Sequence, residues 1–296
     1  MMTNGTSPHS LSDEPDDSNH DLRIHTTGDV SDDLRRATHR LIQQQLCGEV
    51  FHSAETLSTN TDALQELGGR GPKPDLDGLP ILFLTDQQTA GRGRSGNQWQ
   101  SPGDALTFSM LQPWQIASES GHLLSLAVGV AIAQAIEHDH APLIARLKWP
   151  NDVYVSGGKV AGILIESLAR QNSHVVIGIG VNVDQAPALD GAAAGQPTPQ
   201  SLAKATGSPV SRAALLISIV ESLAETLRQL QQSPSEILNA YRQRCLLAGK
   251  PISLLSGQRS VSGTCIGVLD NGALEVQTPT GIQQHFSGET RLIRSG

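Results

Sequence analysis

The chain has 296 residues, 38% of them hydrophobic and only 3% aromatic, enough for one core of about 200 residues plus a small partner domain. That apolar fraction excludes wholesale disorder. A formal net charge of −8, from 29 acids and 21 bases, argues against a nucleic-acid coat or a polybasic membrane binder.

The acidity is uneven. Residues 1–35 hold eight acids and two bases, and the remaining 261 residues are nearly neutral at −2. Residues 1–30, rich in Ser, Asp, Asn, Pro and His, read as a disordered acidic leader. Ser31 is placed to cap a helix running to Leu46, with Leu34, Leu41, Ile42 and Leu46 as its apolar stripe. One helix is not a helix-turn-helix. Gly68–Pro80 is a Gly/Pro-rich loop feeding the strand Ile81–Thr85.

Leu123–His138 reads as a buried helix, and Val153–Val155 with Val160–Glu166 as a hairpin turning at Ser156-Gly157-Gly158. Val175–Val183 is an apolar strand, and Pro187–Gln200 is an Ala/Gly/Pro loop. Residues 211–231 form an amphipathic helix with Leu215, Ile219, Leu223, Leu227 and Leu230 on one face, and Ser235–Cys245 a second helix. From about residue 248 the pattern changes to short β-rich runs, Ile252–Leu255, Thr264–Leu269, Ala273–Gln277 and Gln283–Phe286, predicting a small barrel-like β domain.

Cys47, Cys245 and Cys265 are odd in number and lack C-x-x-C spacing, which fits inert thiols in a reducing cytosol. The longest apolar run, Leu123–Ile136, is broken by Ser125 and Gln134 and falls short of the ~20 residues of a membrane span. With no secretory-type N-terminus, the expected location is cytoplasmic.

Three segments carry chemistry. Gly91-Arg92-Gly93-Arg94-Ser95-Gly96 satisfies G-x-G-x-x-G formally, but Trp99, Ser101 and Pro102 follow where a dinucleotide fold needs a helix. What remains is a glycine-spaced loop with two guanidiniums able to pair with phosphate or carboxylate, and ordered at an entropic cost. A solvated basic turn is the plain alternative. Next comes Lys148-Trp149-Pro150-Asn151-Asp152, then Lys159 opening the apolar strand Val160–Ile165, with Gly162 allowing close approach. A lone lysine such as Lys148 is usually solvated. Lys159 is placed to neutralise charge at a carboxylate and a phosphoryl group, and Asn151 and Asp152 to hold a magnesium–nucleotide complex, unless Asp152 merely caps the turn. Last, Ile177-Gly178-Ile179-Gly180-Val181-Asn182-Val183 alternates glycines as a strand does when a backbone or flat ligand lies on it. Asn182 adds an amide suited to a purine edge.

Together with Ser58-Thr59-Asn60, these strings occur in the order and spacing of biotin–protein ligases, which the chain resembles over about residues 50–296. The resemblance implies an α+β fold: a mixed β-sheet flanked by helices, of the class II aminoacyl-tRNA synthetase and biotin ligase type, with a small C-terminal SH3-like β-barrel. The implied domains are a leader at 1–30, a catalytic domain at 31–247 and a C-terminal domain at 248–296. It implies activation of biotin by MgATP to biotinoyl-5′-AMP, then transfer to a lysine of a biotin carboxyl carrier domain.

By matching position, Ser58, Thr59, Asn60 and Gln88 would meet or flank biotin's ureido ring. Gly91, Arg92, Gly93 and Arg94 would form the loop closing over the adenylate, and Trp99 would pack near the adenine. Lys159, beside Gly162, would bridge biotin's carboxylate and the α-phosphate. Asn182 would read adenine, and Asn151 and Asp152 would sit at the phosphates and Mg2+. Asp152 is also the residue to assist the incoming amine should it need a base.

The family loop usually reads GRGRRGR, so Ser95 and Asn97 replace two arginines. Bifunctional members carry an N-terminal winged helix-turn-helix. Residues 1–48 are too short and acidic for one, so a monofunctional enzyme is expected, without nucleic-acid or membrane partners. A homodimer through sheet edges is left open. The rival readings are a lipoate–protein ligase or octanoyltransferase of the same fold, and a non-catalytic adenylate-binding regulator.

Overall fold

A computed structural model describes residues 23–69, 78–102, 104–114, 121–168, 173–188 and 198–293. An eight-stranded mixed sheet forms its centre, in the order β1-β2-β3-β6-β10-β9-β8-β7. The strands are β1 (Ile24–Thr27), β2 (Glu49–Thr56), β3 (Ile81–Gln88), β6 (Leu106–Pro113), β7 (Ala145–Lys148), β8 (Asp152–Val155), β9 (Gly158–Glu166) and β10 (His174–Val181). The first three pair in parallel and the rest antiparallel.

Strand alternation sorts the two faces. Leu82 and Leu84 of β3 and Phe108 and Met110 of β6 face the main core with α3 (Gly121–Asp139), α5 (Arg212–Gln232) and α1 (Asp32–Gln43). Ile81 and Phe83, one residue out of phase, face a smaller cluster with Ala63 and Leu67 of α2 (Thr59–Gly69). Helix α3 is apolar nearly all round because α5, α6 (Pro234–Arg244) and the sheet all cover it. The hairpin β8–β9 turns through Ser156 and Gly157, both at positive φ, as a two-residue connection requires.

The predicted helices and strands appear with ends shifted by a few residues, as α1, α3, α5, α6, β3 and β8–β10. Strand β2, helix α2 and strand β6 were not foreseen. Polar residues obscure the apolar period in all three; in α2 and β6 some of them, Thr59, Asn60 and Thr107, line the cavity described below. Residues 24–27, placed in the leader by sequence, form β1. Residues 1–22, most of Gly68–Pro80, and residues 189–197 of the Ala/Gly/Pro loop lie outside the described residues. Ser31 occupies the N-cap of α1 but makes no side-chain cap. Its hydroxyl donates instead to Asp86 at 2.5 Å.

The C-terminal domain is a five-stranded antiparallel sheet, β14-β13-β12-β11-β15. Its members are β11 (Pro251–Ser256), β12 (Arg259–Val268), β13 (Leu274–Thr278), β14 (Gly281–His285) and β15 (Glu289–Leu292). Among the described residues no pairing joins β14 to β15, so hydrogen bonds do not close it into a barrel. The domain docks beside the central sheet through Trp149, whose indole N–H donates to the Gly272 carbonyl at 3.1 Å. The Thr290 hydroxyl donates to the Trp149 carbonyl at 2.9 Å. Among the described residues no helix is long and apolar enough to cross a membrane.

Candidate active site

The site grows from one face of three neighbouring strands. Ile177, Ile179 and Val181 of β10 enter the core, so Gly178, Gly180 and the following Asn182 fall on the opposite face. Register sets Gly178 beside Ser109 of β6 and Leu164 of β9, and Gly180 beside Thr107 and Gly162. Two cross-strand rows, of small residues apart from Leu164, thus form the floor of a cavity of about 720 Å³.

The glycines make room for the chain's own side chains. A Cβ at Gly178 would lie almost on the Asn60 amide oxygen, and one at Gly180 would press into the Trp99 indole. A flat group does lie on this strand, as the sequence pattern suggests, and it is Trp99.

One end of the floor is polar and buried. Ser58, Thr59, Asn60 and Gln88 are each at most 9% exposed. The Thr59 N–H donates to Gln88 Oε1 at 3.0 Å, and the Thr59 and Ser109 hydroxyls lie 2.7 Å apart. Ser109 donates to Asn60 Oδ1 at 2.6 Å, while Asn60 Nδ2 donates to the Leu164 carbonyl and to Glu166. Those acceptors fix which way the Asn60 amide points. Ser109 is a residue that sequence reasoning missed; its signal was a polar position at strand period in an apolar run.

The Gly91–Trp99 loop folds over this floor as a miniature hairpin, Gly91–Arg92 (β4) pairing with Gln98–Trp99 (β5). A 3₁₀ turn at Arg94–Gly96 lies between them. Gly91 does not line the cavity; it is required where the Trp99 carbonyl and the Gln88 side chain crowd the backbone. Arg92 turns its guanidinium onto Glu166 in a two-point pair of 3.0 and 2.7 Å, so its charge is engaged within the chain. Burial pushes the Arg94 pKa down, with the nearby Asp152 carboxylate opposing. Ser95 and Asn97 lie exposed at the loop's tip, so the two missing arginines are missing on the solvent side.

Cations gather at the other end. Lys159 Nζ stands 2.5 Å from Asp152 Oδ1 and 5.8 Å from the centroid of the Trp99 ring. Lys148, expected in solvent, is only 8% exposed and lines the cavity. Burial lowers its pKa; Asp152 and Glu289 oppose that shift, and Lys159 and Arg291 reinforce it. The Asn182 amide nitrogen is held by the Lys159 and Gln200 carbonyls at 3.4 and 3.1 Å. Its Oδ1 is buried without a partner, so Asn182 offers an acceptor only, where sequence suggested both roles. Asn151 donates to the Ile163 carbonyl at 2.8 Å, bracing the turn. Gly288, Glu289 and Thr290 of the C-terminal domain complete the wall.

All of the sequence-predicted residues except Gly91 therefore border one cavity. Outside it, Ser31, His52 and Asp86 resemble a hydrolytic triad in composition only. Serine and histidine both bond to the carboxylate and not to each other, and Arg212 joins them at 3.2 Å. Burial alone would raise the Asp86 pKa, but bonds from His52 and Ser31 hold it far below the usual carboxylate range. All three cysteines are free, and burial pushes Cys47 and Cys265 up to about 12.

The Biotin/lipoate A/B protein ligase family matches residues 78–182, and the Biotin protein ligase C terminal domain matches residues 248–289. The chain is 34% identical over 235 residues to the biotin–[acetyl-CoA-carboxylase] ligase of Paracoccus denitrificans, across 78% of this chain and 95% of that relative. This chain belongs to the biotin–protein ligase family. Another ligase of the family, from Mycobacterium tuberculosis, is 32% identical over 231 residues, 75% of this chain and 80% of its own length. The biotin protein ligase from Aquifex aeolicus, solved in complex with biotin and ATP, matches with a TM-score of 0.68 at 27% identity. That likeness covers 83% of this chain and 99% of the Aquifex ligase.

Proposed function

We propose that this chain is an ATP-dependent biotin–protein ligase, which makes biotinoyl-5′-AMP and passes the biotinoyl group to a lysine amine of a biotin carboxyl carrier domain. One observation carries the reading: a buried ring of amides and hydroxyls and a cluster of Lys159, Arg94 and Lys148 face each other across a glycine floor. That spacing suits a neutral ureido ring at one end and a carboxylate meeting phosphate at the other. The biotin ligase relatives and the matching C-terminal domain favour biotin over lipoate.

In the first step a carboxylate oxygen of biotin attacks the α-phosphorus of MgATP. The bond from that phosphorus to the bridging oxygen breaks, and pyrophosphate leaves. Lys159 meets both anions and offsets the charge that gathers between them. Asn182 presents Oδ1 to the adenine amine, and Trp99 forms the wall between ring and nucleotide.

Magnesium arriving on ATP keeps its phosphate and water ligands and needs one or two carboxylates from the protein. Asp152 fits that demand and Asn151 adds an amide oxygen. No cluster of three or more His, Cys, Asp or Glu exists among the described residues for a resident ion. The ion's contribution is to neutralise phosphate charge.

In the second step the lysine nitrogen attacks the acyl carbon, the bond to the AMP oxygen breaks, and the amine sheds its proton as AMP departs. AMP leaves readily, so no triad is needed; Asp152 is the group placed to take the proton. Water would hydrolyse the mixed anhydride, and the Gly91–Trp99 lid, with Arg94 turned inward, keeps it out.

The test is intact-mass measurement of a biotin carboxyl carrier domain incubated with the protein, MgATP and biotin, with lipoate as a parallel arm. A gain of one biotinoyl group is expected. No gain with biotin, or an equal gain with lipoate, overturns the reading.

A further inference from the structure

Glu166 ends β9 outside the roles assigned above, yet its carboxylate touches two parts of the site at once. Oε2 accepts from Asn60 Nδ2 at 2.8 Å and from Arg92 at 2.7 Å, and Oε1 accepts from Arg92 at 3.0 Å. A two-point guanidinium–carboxylate pair fixes orientation as well as distance. Asn60 is 4% exposed, so its end of the bond is buried, while Glu166 remains 25% exposed at the rim.

We propose that Glu166 is a positioning residue that sets the ring-end amide and latches the lid with the same carboxylate. The inference rests on the ligase reading for what the two ends bind, but the latch itself needs no ligand. With Glu166 and the Leu164 carbonyl holding Nδ2, Asn60 Oδ1 is left facing the floor beside Ser109, as an acceptor for ring N–H donors. Without the carboxylate the amide nitrogen keeps only the 3.3 Å bond to Leu164, and the Ser109 hydroxyl on Oδ1 is a group that can accept as well as donate, so the amide flips more easily. Arg92 then also loses the only carboxylate it meets among the described residues, and the first strand of the lid hairpin comes loose from β9. An exposed ion pair alone would be worth little. This pair differs because its acid is also tied to a buried amide.

Glu166→Gln removes the charge and keeps the size. It is expected to raise KM for biotin about tenfold, the scale of one charge-assisted hydrogen bond, while KM for ATP stays within about twofold. Amide hydrogen exchange across residues 91–99 of the ligand-free protein should quicken in the same variant. The charge-swapped pair Arg92→Glu with Glu166→Arg should restore slow exchange but leave KM for biotin high, because arginine cannot accept from Asn60. Wild-type KM and wild-type exchange in folded Glu166→Gln would overturn the proposal, and so would movement of one readout without the other. If the wild-type protein makes no biotinoyl-AMP, the ligase reading fails, while the exchange measurement still tests the latch.

Discussion

The Trp99 indole lies so close to the Gly180 backbone that a β-carbon there would overlap its Cε2 atom. At Gly162 the nearest ring atom is 3.1 Å from such a carbon. The indole therefore rests on two glycines of neighbouring strands, with the Lys159 ammonium near its face. Gly180→Ala should push Trp99 off the floor and lower kcat/KM by about tenfold or more, as misplacing a positioning group does. Gly162→Ala, where a shift of a few tenths of an ångström suffices, should cost less. Steady-state kinetics and Trp99 fluorescence check the order.

Lys159→Ala removes the cation that stands between the Trp99 ring and Asp152. Loss of a preorganised charge of this kind typically costs about 10²–10³ in rate. Biotin-dependent ATP–pyrophosphate exchange should fall by at least that factor with the thermal midpoint little changed. Near-normal exchange would remove Lys159 from its assigned role.

Arg94 lines the cavity and is influenced by the Asp152 charge, whereas Arg92 is committed to Glu166. Arg94→Gly should therefore release biotinoyl-AMP and label bystander lysines indiscriminately, while Ser95→Arg at the exposed tip should change labelling little. The readout is biotin on an unrelated protein added to the reaction. Unchanged release from Arg94→Gly would mean that this loop does not retain the adenylate.

Lys148 gives a prediction with a definite sign. Burial lowers its pKa, so the folded chain binds that proton less well than the unfolded chain. The penalty is present below the folded pKa and fades as pH rises toward the unfolded value of ~10.4. Lys148→Met should raise the thermal midpoint at pH 7, by an amount that narrows as pH approaches 10, and should impair ATP-dependent turnover. A fall in midpoint at neutral pH would show that the ammonium contributes net stability.

Much of this was legible in the sequence because strings of glycine, lysine and asparagine at fixed spacing are demanded by chemistry close to the backbone. Helix α5 was legible from its apolar period, and α3 from its length and alanine content. Strand β6 was not, since Thr107, which lines the cavity, and Ser109, bonded to Thr59 and Asn60, interrupt the pattern used to find strands. Lys148 was misread for a related reason. A lysine is expected in water, but Lys148 is buried in the wall of a cavity that Gly288–Thr290 of the C-terminal domain also line.

What the sequence alone determined, then, is the set of groups: a cationic glycine loop, the KWPND turn, a lysine-led strand and an alternating glycine strand. Each is a local demand, written within about a dozen residues. Tertiary structure decided how those groups are spent. It tied Arg92 to Glu166 and left Arg94 to face the cavity, turned Asn182 into an acceptor, and filled the glycine floor with Asn60 and Trp99. Those outcomes depend on register between strands far apart in the chain, and on which carbonyls and carboxylates remain once the backbone is paired. No local pattern encodes that competition for partners.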